Sequence, residues 1–147
     1  MILLDTNILG RITNSADPLC AFSRGALDKL RTKGERLVIV PQNLFEFWAV
    51  ATRPAGKGTG NNGLGMTTGQ AEAWCRFFTR RFILLADRAE LVNIWLQVVA
   101  DHHISGYLSH DARLVAAMKT YGITRILTFN AADFSGLGMS IVDPRAV

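Results

Sequence analysis

The sequence predicts a three-layer α/β domain, and three observations predict it. Short runs of consecutive apolar, partly β-branched residues recur at Met1–Leu4, Leu37–Val40, Phe82–Leu85, Ile126–Phe129 and Ser140–Val142. Such runs suit strands covered on both faces within a parallel sheet. Between them lie longer stretches of helical period bounded by capping and stop residues. Strands alternating with helices build βαβ units whose right-handed crossovers lay helices on both sides of one sheet.

The first strand ends at Asp5-Thr6-Asn7, small polar residues that suit a turn or a helix cap. Asp17-Pro18 offers an N-cap and a proline at the first helical position for Leu19–Lys33, and Gly34 stops that helix. The second strand leads into the apolar-rich helix "PQNLFEFWAVATR". Arg53–Gly69 then breaks the pattern. It carries nearly half of the chain's 13 glycines, too many for an element interior, and is expected to be a flexible surface insertion. Thr67 and Gln70 have capping-box spacing ahead of Ala71–Arg81. Asp87–Glu90 should cap Leu91–Asp101, where Leu91, Ile94, Trp95, Val98 and Val99 form one apolar face. The last helix, Asp111–Tyr121, carries Leu114, Val115, Ala117 and Met118 and closes at Gly122.

A chain of 147 residues fits one domain and buries roughly two-thirds of its unfolded surface. Hydrophobic residues make up 49% and charged residues 19%, a globular balance. No apolar run approaches the roughly 20 residues that span a bilayer. Asp5 interrupts the N-terminal apolar stretch, and no basic segment precedes it, which argues against a signal peptide. The expectation is a soluble cytoplasmic protein. Cys20 and Cys75 lack metal-ligand or CxxC spacing and are expected to be buried, reduced thiols. The net charge of +4 leans towards a polyanionic partner.

In open α/β sheets, ligands bind in the crevice beyond the carboxyl ends of the strands. Asp5 follows the first strand at that end, and Asp133 follows the fourth in "TFNAADF". Glu46 sits among Phe45, Phe47, Trp48 and Val50, an odd place for a charge on a core-rich helix. Asp111 lies where its helix begins in "SHDARLVAAM" and where free N–H groups welcome an anion. Each acid alone has a plain capping or solvated role. Gathered at one sheet edge they would repel one another, unless a cation compensates. Oxygen-only ligation suits Mg²⁺ or Mn²⁺ rather than zinc. With these four set aside, eight acids face 16 basic residues, a framework suited to a nucleic-acid backbone.

"LLDTNIL", Glu46 in its helix, "HDARLVAA" and "TFNAADF" together resemble the PIN domain, and within it the VapC-type toxins of bacterial toxin–antitoxin pairs. The resemblance runs from Ile2 to about Val142 and implies one PIN-like domain over residues 1–147 with a five-stranded parallel sheet, from whose compact pattern the glycine-rich insertion at about 53–69 departs. It implies a metal-dependent endoribonuclease using Mg²⁺ or Mn²⁺, with an acidic quartet of Asp5, Glu46, Asp111 and Asp133. Asp5 and Asp111 would be the direct metal ligands. Thr6, Asn7, Thr128 and Asn130 would support them by hydrogen bonding. The implied partners are RNA as substrate, a cognate antitoxin and a second copy of the chain, with no membrane. Exposed members of the set Phe45, Phe47, Trp48, Trp74, Phe77 and Phe78 would supply the protein-binding surface. Arg53 and Lys57 in the insertion are candidates for gripping RNA or a partner.

Other classes fit less well. A non-catalytic RNA-binding PIN module should lack an acid, and all four are present. A housekeeping PIN-domain ribonuclease remains the alternative to a toxin. A structure-specific DNA nuclease needs additional helices, and an aspartyl phosphatase needs Asp-x-Asp where the chain has Asp5-Thr6-Asn7. His102, His103 and His110 are read as surface and helix-end residues rather than ligands.

Overall fold

The structure is a computed structural model that describes residues 1–56 and 62–147. Lys57, one of the residues singled out above, lies outside the described residues. The elements run β1 (Ile2–Leu4), α1 (Thr6–Thr13), α2 (Cys20–Thr32), β2 (Leu37–Ile39), α3 (Pro41–Thr52), α4 (Thr68–Arg81), β3 (Ile83–Leu84), α5 (Leu91–Asp101), α6 (Leu108–Thr120), β4 (Arg125–Leu127) and β5 (Ser140–Val142). A 3₁₀ turn at Ala131–Phe134 lies between the last two strands. The strands form one parallel sheet in the order β3-β2-β1-β4-β5. The predicted three-layer α/β architecture with its five-stranded sheet is the one observed.

The alternation of strand side chains divides the core in two. Ile2, Leu4, Leu37, Ile39 and Leu127 face the layer of α1 to α4, where they meet Ile8, Leu30, Phe47 and Phe78. Leu3, Val38 and Ile126 face the other way, onto Leu91, Val98, Leu114 and Met118 of α5 and α6. Both faces of β1 and β2 are sealed, which is why those strands read as unbroken apolar runs.

Four local expectations need correction. Phe82–Leu85 is not a strand covered on both faces. β3 holds only Ile83 and Leu84, and it is an edge strand whose two residues are 38% and 43% exposed. Asp17 does not cap α2, which begins at Cys20 with Leu19 at its N-cap. Asp17 closes the preceding turn, accepting from the Leu19 N–H at 2.8 Å, and pairs with Arg11. Asp87 does not cap α5 but pairs with Arg113 at 2.6 Å, and Glu90 at the N-cap position makes no side-chain cap bond. Cys75 is half-buried rather than buried, whereas Cys20 is buried as expected.

The capping box of α4 forms as predicted. Thr67 Oγ1 accepts from the Gln70 N–H at 3.2 Å and Gln70 Oε1 accepts from the Thr67 N–H at 2.9 Å. The described flanks of the glycine-rich stretch fold back on α3, with the Leu64 and Met66 N–H groups donating to the carbonyls of Val50 and Ala51. Gly63 there lies so close to the Arg53 backbone that a Cβ would fall 2.1 Å from its carbonyl oxygen, so only glycine fits. No helix of the described residues is long and apolar enough to cross a membrane.

Candidate active site

The site is laid out by the β1–β4 register. Leu3 pairs with Ile126 and Leu4 with Leu127, so the next residues, Asp5 and Thr128, emerge side by side at the carboxyl ends. The Asp5 N–H donates to the Leu127 carbonyl and continues the ladder. Thr128 Oγ1 donates to Asp5 Oδ2 at 2.6 Å while accepting from Asn7 Nδ2 at 3.1 Å and from the Asn130 N–H at 2.9 Å. Its single proton and both lone pairs are therefore committed. Asn7 Nδ2 also donates to Asp5 Oδ2, at 2.7 Å. Asp5 is 7% exposed.

Glu46 reaches the site from α3, one turn beyond Gln42. Thr6 Oγ1 donates to Glu46 Oε2 at 2.6 Å, and Gln42 Nε2 donates to Glu46 Oε1 at 2.6 Å. The N-terminus of α3 is held by Asn43, whose Oδ1 accepts from the Val40 N–H at 2.8 Å and whose Nδ2 donates to the Leu4 carbonyl at 3.0 Å. Asp111 stands in the first turn of α6 and Asp133 in the 3₁₀ turn after β4.

Electrostatics tie the four acids together. Burial raises the Asp5 carboxyl above its ordinary range. Hydrogen bonds from Thr128 and from the Asn7 and Thr6 backbone oppose that rise, and the Glu46 charge adds to it. The Asp111 carboxyl is pushed up to about 7, first by burial and then by the charges of Asp5, Asp133 and Glu46. None of the four meets a lysine or arginine among the described residues.

The side chains do not converge on a single point. Among the described residues, no three His, Cys, Asp or Glu side chains stand close enough to hold a metal ion as they lie. Both Glu46 carboxylate oxygens are taken up by Thr6 and Gln42. Two carboxylates are nevertheless what a hydrated Mg²⁺ asks for, since the ion keeps several waters. The surroundings are also rich in acceptors, and Asn7 Oδ1 is buried with no partner among the described residues. An excess of oxygen acceptors without a balancing cation fits a hard divalent ion.

The supporting residues are unequal. Thr6, Asn7 and Thr128 bond the acids directly, whereas Asn130 contributes only its backbone N–H and its side chain is exposed. Gln42 and Asn43 escaped the sequence reading. The signal for Gln42 was its spacing of four from Glu46 on one helix. The three histidines are exposed, and among the described residues they join no metal-ligating group. Beside the acids opens a groove of about 540 Å³, lined by Thr6, Asn7, Arg11, Glu46, Arg53 and Leu64 among others.

Compared with known families, residues 2–137 match the PIN domain, and the chain belongs to that family. No curated protein sequence is significantly similar to it. Among solved structures, it resembles VapC20 of Mycobacterium tuberculosis, described as a sarcin–ricin-loop-cleaving toxin, at 20% identity and TM-score 0.72, over 98% of this chain and 100% of that one. It also resembles FitAcB from Neisseria gonorrhoeae at 17% identity and TM-score 0.71, over the full length of both chains. VapBC2 from Rickettsia felis, bound to a fragment of promoter DNA, aligns at 17% identity and TM-score 0.70, over 97% of this chain and 98% of that one. At such identities the likeness is one of fold.

Proposed function

We propose that the chain is a Mg²⁺- or Mn²⁺-dependent endoribonuclease, the toxin member of a toxin–antitoxin pair. The observation that carries this reading is the group of four acids at the sheet's carboxyl edge, which among the described residues have no basic partner although the chain carries 16 lysines and arginines. Asp5 and Asp111 would hold the ion, which when bound supplies the charge that activates water and offsets the developing phosphorane. Glu46 or Asp133 would orient the attacking water and take its proton. Thr128 and Asn7 keep the Asp5 carboxylate turned, and Thr6 does the same for Glu46. The groove beside Glu46, with Arg11 and Arg53 on its walls, offers the RNA strand a path.

The partner reading draws on exposed apolar side chains. Phe45 and Trp48, three residues apart on α3, are exposed, as is Phe77 on α4, while Phe47 and Phe78 are core and Trp74 packs partly against it. These surfaces support docking of an antitoxin and of a second copy. What the toxin structures in this fold are described as binding or cleaving supports the same reading. The decisive experiment incubates the purified chain with total cellular RNA and millimolar Mn²⁺ or Mg²⁺. Discrete fragments that vanish with EDTA and with Asp5→Asn are expected. RNA left intact under all conditions would refute the reading.

A further inference from the structure

We propose that Gln42 and Arg113 are positioning residues for Glu46. The chain Asp87–Arg113–Gln42–Glu46 sets the direction of the Glu46 carboxylate and locks its helix to the helix that carries Asp111. This rests on the ribonuclease reading and adds to it residues that lie outside the acidic quartet.

Gln42 is 5% exposed, at the second position of α3 and one helical turn before Glu46. All of its amide's principal bonds are made. Nε2 donates to Glu46 Oε1 at 2.6 Å and to the His110 carbonyl at 2.8 Å, and Oε1 accepts from Arg113 Nη1 at 2.9 Å. A glutamine amide can be turned end for end at little intrinsic cost, so its neighbours decide which end faces which. Here they leave one choice. A guanidinium only donates, so the amide oxygen must face Arg113. Glu46 and the His110 carbonyl both receive the NH₂ end. Arg113 is held in turn by Asp87, whose Oδ2 accepts from Nη2 at 2.6 Å.

The other Glu46 oxygen is treated in the same way. Asn43 Nδ2 donates to Thr6 Oγ1 at 3.2 Å, which leaves the Thr6 proton to point at Glu46 Oε2. Each oxygen therefore meets a donor whose direction is dictated by the group behind it. The His110 carbonyl belongs to the residue just before Asp111, in the first turn of α6. One amide thus spans the two helices that deliver Glu46 and Asp111. Without Arg113 the amide oxygen loses its donor, the Gln42 side chain is anchored at its NH₂ end alone, and Glu46 loses its fixed aim.

The test measures steady-state cleavage of a short fluorescent RNA in Mn²⁺ by wild type, Gln42→Leu, Arg113→Met, Arg113→Lys, Asp87→Asn and the double variant Gln42→Leu/Arg113→Met. Melting temperatures and circular dichroism confirm folding of each. Gln42→Leu is expected to lower kcat roughly 10–100-fold with KM nearly unchanged, the scale of a misplaced catalytic group. Arg113→Met should approach that loss, and Arg113→Lys should recover part of it by donating to Gln42 Oε1. The double variant should be no slower than Gln42→Leu, because Arg113 acts only through that amide. Asp87→Asn, which leaves Arg113 a neutral acceptor, should cost only a few-fold in kcat. Additive losses, an effect confined to KM, or wild-type kcat in folded Gln42→Leu would overturn the proposal. Glu46→Gln serves as the control for the underlying reading. If it cleaves like wild type, or if wild type cuts no RNA, the assignment of the site falls first. A dead Glu46→Gln beside fully active Gln42 and Arg113 variants would refute this proposal alone.

Discussion

Ten of the chain's 12 acids fall into two populations that obey opposite rules, while Glu90 and Asp101 are simply exposed to solvent. Around the periphery, Asp17, Asp28, Glu35, Glu72, Asp87 and Asp143 each lie within 4 Å of an arginine. At the carboxyl edge of the sheet, Asp5 and Glu46 meet only neutral donors, and Asp111 and Asp133 carry no basic partner among the described residues. The electrostatic consequences differ in sign. Hydrogen bonds from Arg125 and Arg145 hold the Glu35 and Asp143 carboxyls below their ordinary range. Burial raises Asp5, and burial with its three acidic neighbours lifts Asp111 to about 7. With 16 basic residues in the chain, the lack of a basic partner for the inner group among the described residues does not come from a shortage of cations. Among the described residues, the chain's own cations stay unpaired with these four acids.

The largest expected effect comes from neutralising that inner group. Asp5→Asn or Asp111→Asn should reduce Mn²⁺-supported RNA cleavage by roughly three orders of magnitude, the scale of losing a metal-centred contribution. Asp143→Asn removes an outer carboxylate of equal charge and should leave the rate unchanged. Equal rates for all three variants in a gel-based cleavage assay would erase the distinction between the two populations.

Metal binding should separate them next. An ion that binds the folded protein at about ten times its Kd stabilises it by about 1.4 kcal/mol, or roughly 3–5 °C for a chain of this size. Differential scanning fluorimetry should show that rise with Mn²⁺ for wild type and for Asp143→Asn, but not for Asp5→Asn. A wild-type melting temperature indifferent to millimolar Mn²⁺ would count against an inner cation site.

The sequence made the inner group visible because its acids sit at fixed offsets from apolar strands, and a parallel sheet sends all its carboxyl ends one way. Asp5 and Asp133 could be placed by that logic alone. The strand pattern failed at Phe82–Leu85, because consecutive apolar residues do not tell an edge from a centre. Capping residues misled at Asp17 and Asp87, since a side chain two positions too early, or within reach of an arginine far along the chain, takes another partner. Gln42 and Arg113 stayed hidden for a related reason. Their hydrogen bond spans 71 residues, and no local pattern reports it. Helix α1 was also missed, because Thr6–Thr13 follows β1 with only Asp5 between and has no linker to announce it.

The metal-free protein should reveal the sign difference through pH. Folding raises the Asp111 carboxyl from 3.8 to about 7, so between those values the folded state binds more protons than the unfolded one. Its contribution to stability is therefore lost as pH rises from about 4 to about 7. Asp111→Asn removes that penalty. In EDTA it should raise the melting temperature at pH 8, by roughly 2–4 °C for about 1 kcal/mol after allowing for the half-exposed carboxyl, and change it little at pH 4.5. Asp143, held low by Arg145, contributes in the other direction: its stabilisation is present above about pH 4 and lost below it. Asp143→Asn should lower the melting temperature at pH 8 and have no effect in acid. A rise for both variants at pH 8 would mean that general charge relief, rather than the two environments, governs the response.

The smallest effect belongs to the most exposed outer pair. Arg76 Nη2 meets Glu72 Oε1 at 2.7 Å on α4, at helical spacing of four, with both side chains more than half exposed. In water such a pair gains little over its separate hydrated ions, and holding two long side chains in one geometry costs entropy. Glu72→Gln should change stability by no more than about 0.5 kcal/mol, shrinking further in 0.5 M salt as the attraction is screened. RNA cleavage should stay at the wild-type rate. The same Glu→Gln exchange at Glu46 removes one negative charge as well, yet there it also disturbs the donors supplied by Thr6 and Gln42. A comparison of these two variants holds the chemical change constant and varies only the surroundings. If Glu72→Gln lost activity alongside Glu46→Gln, net charge rather than position would be the controlling variable, and the inner acids would lose their special status.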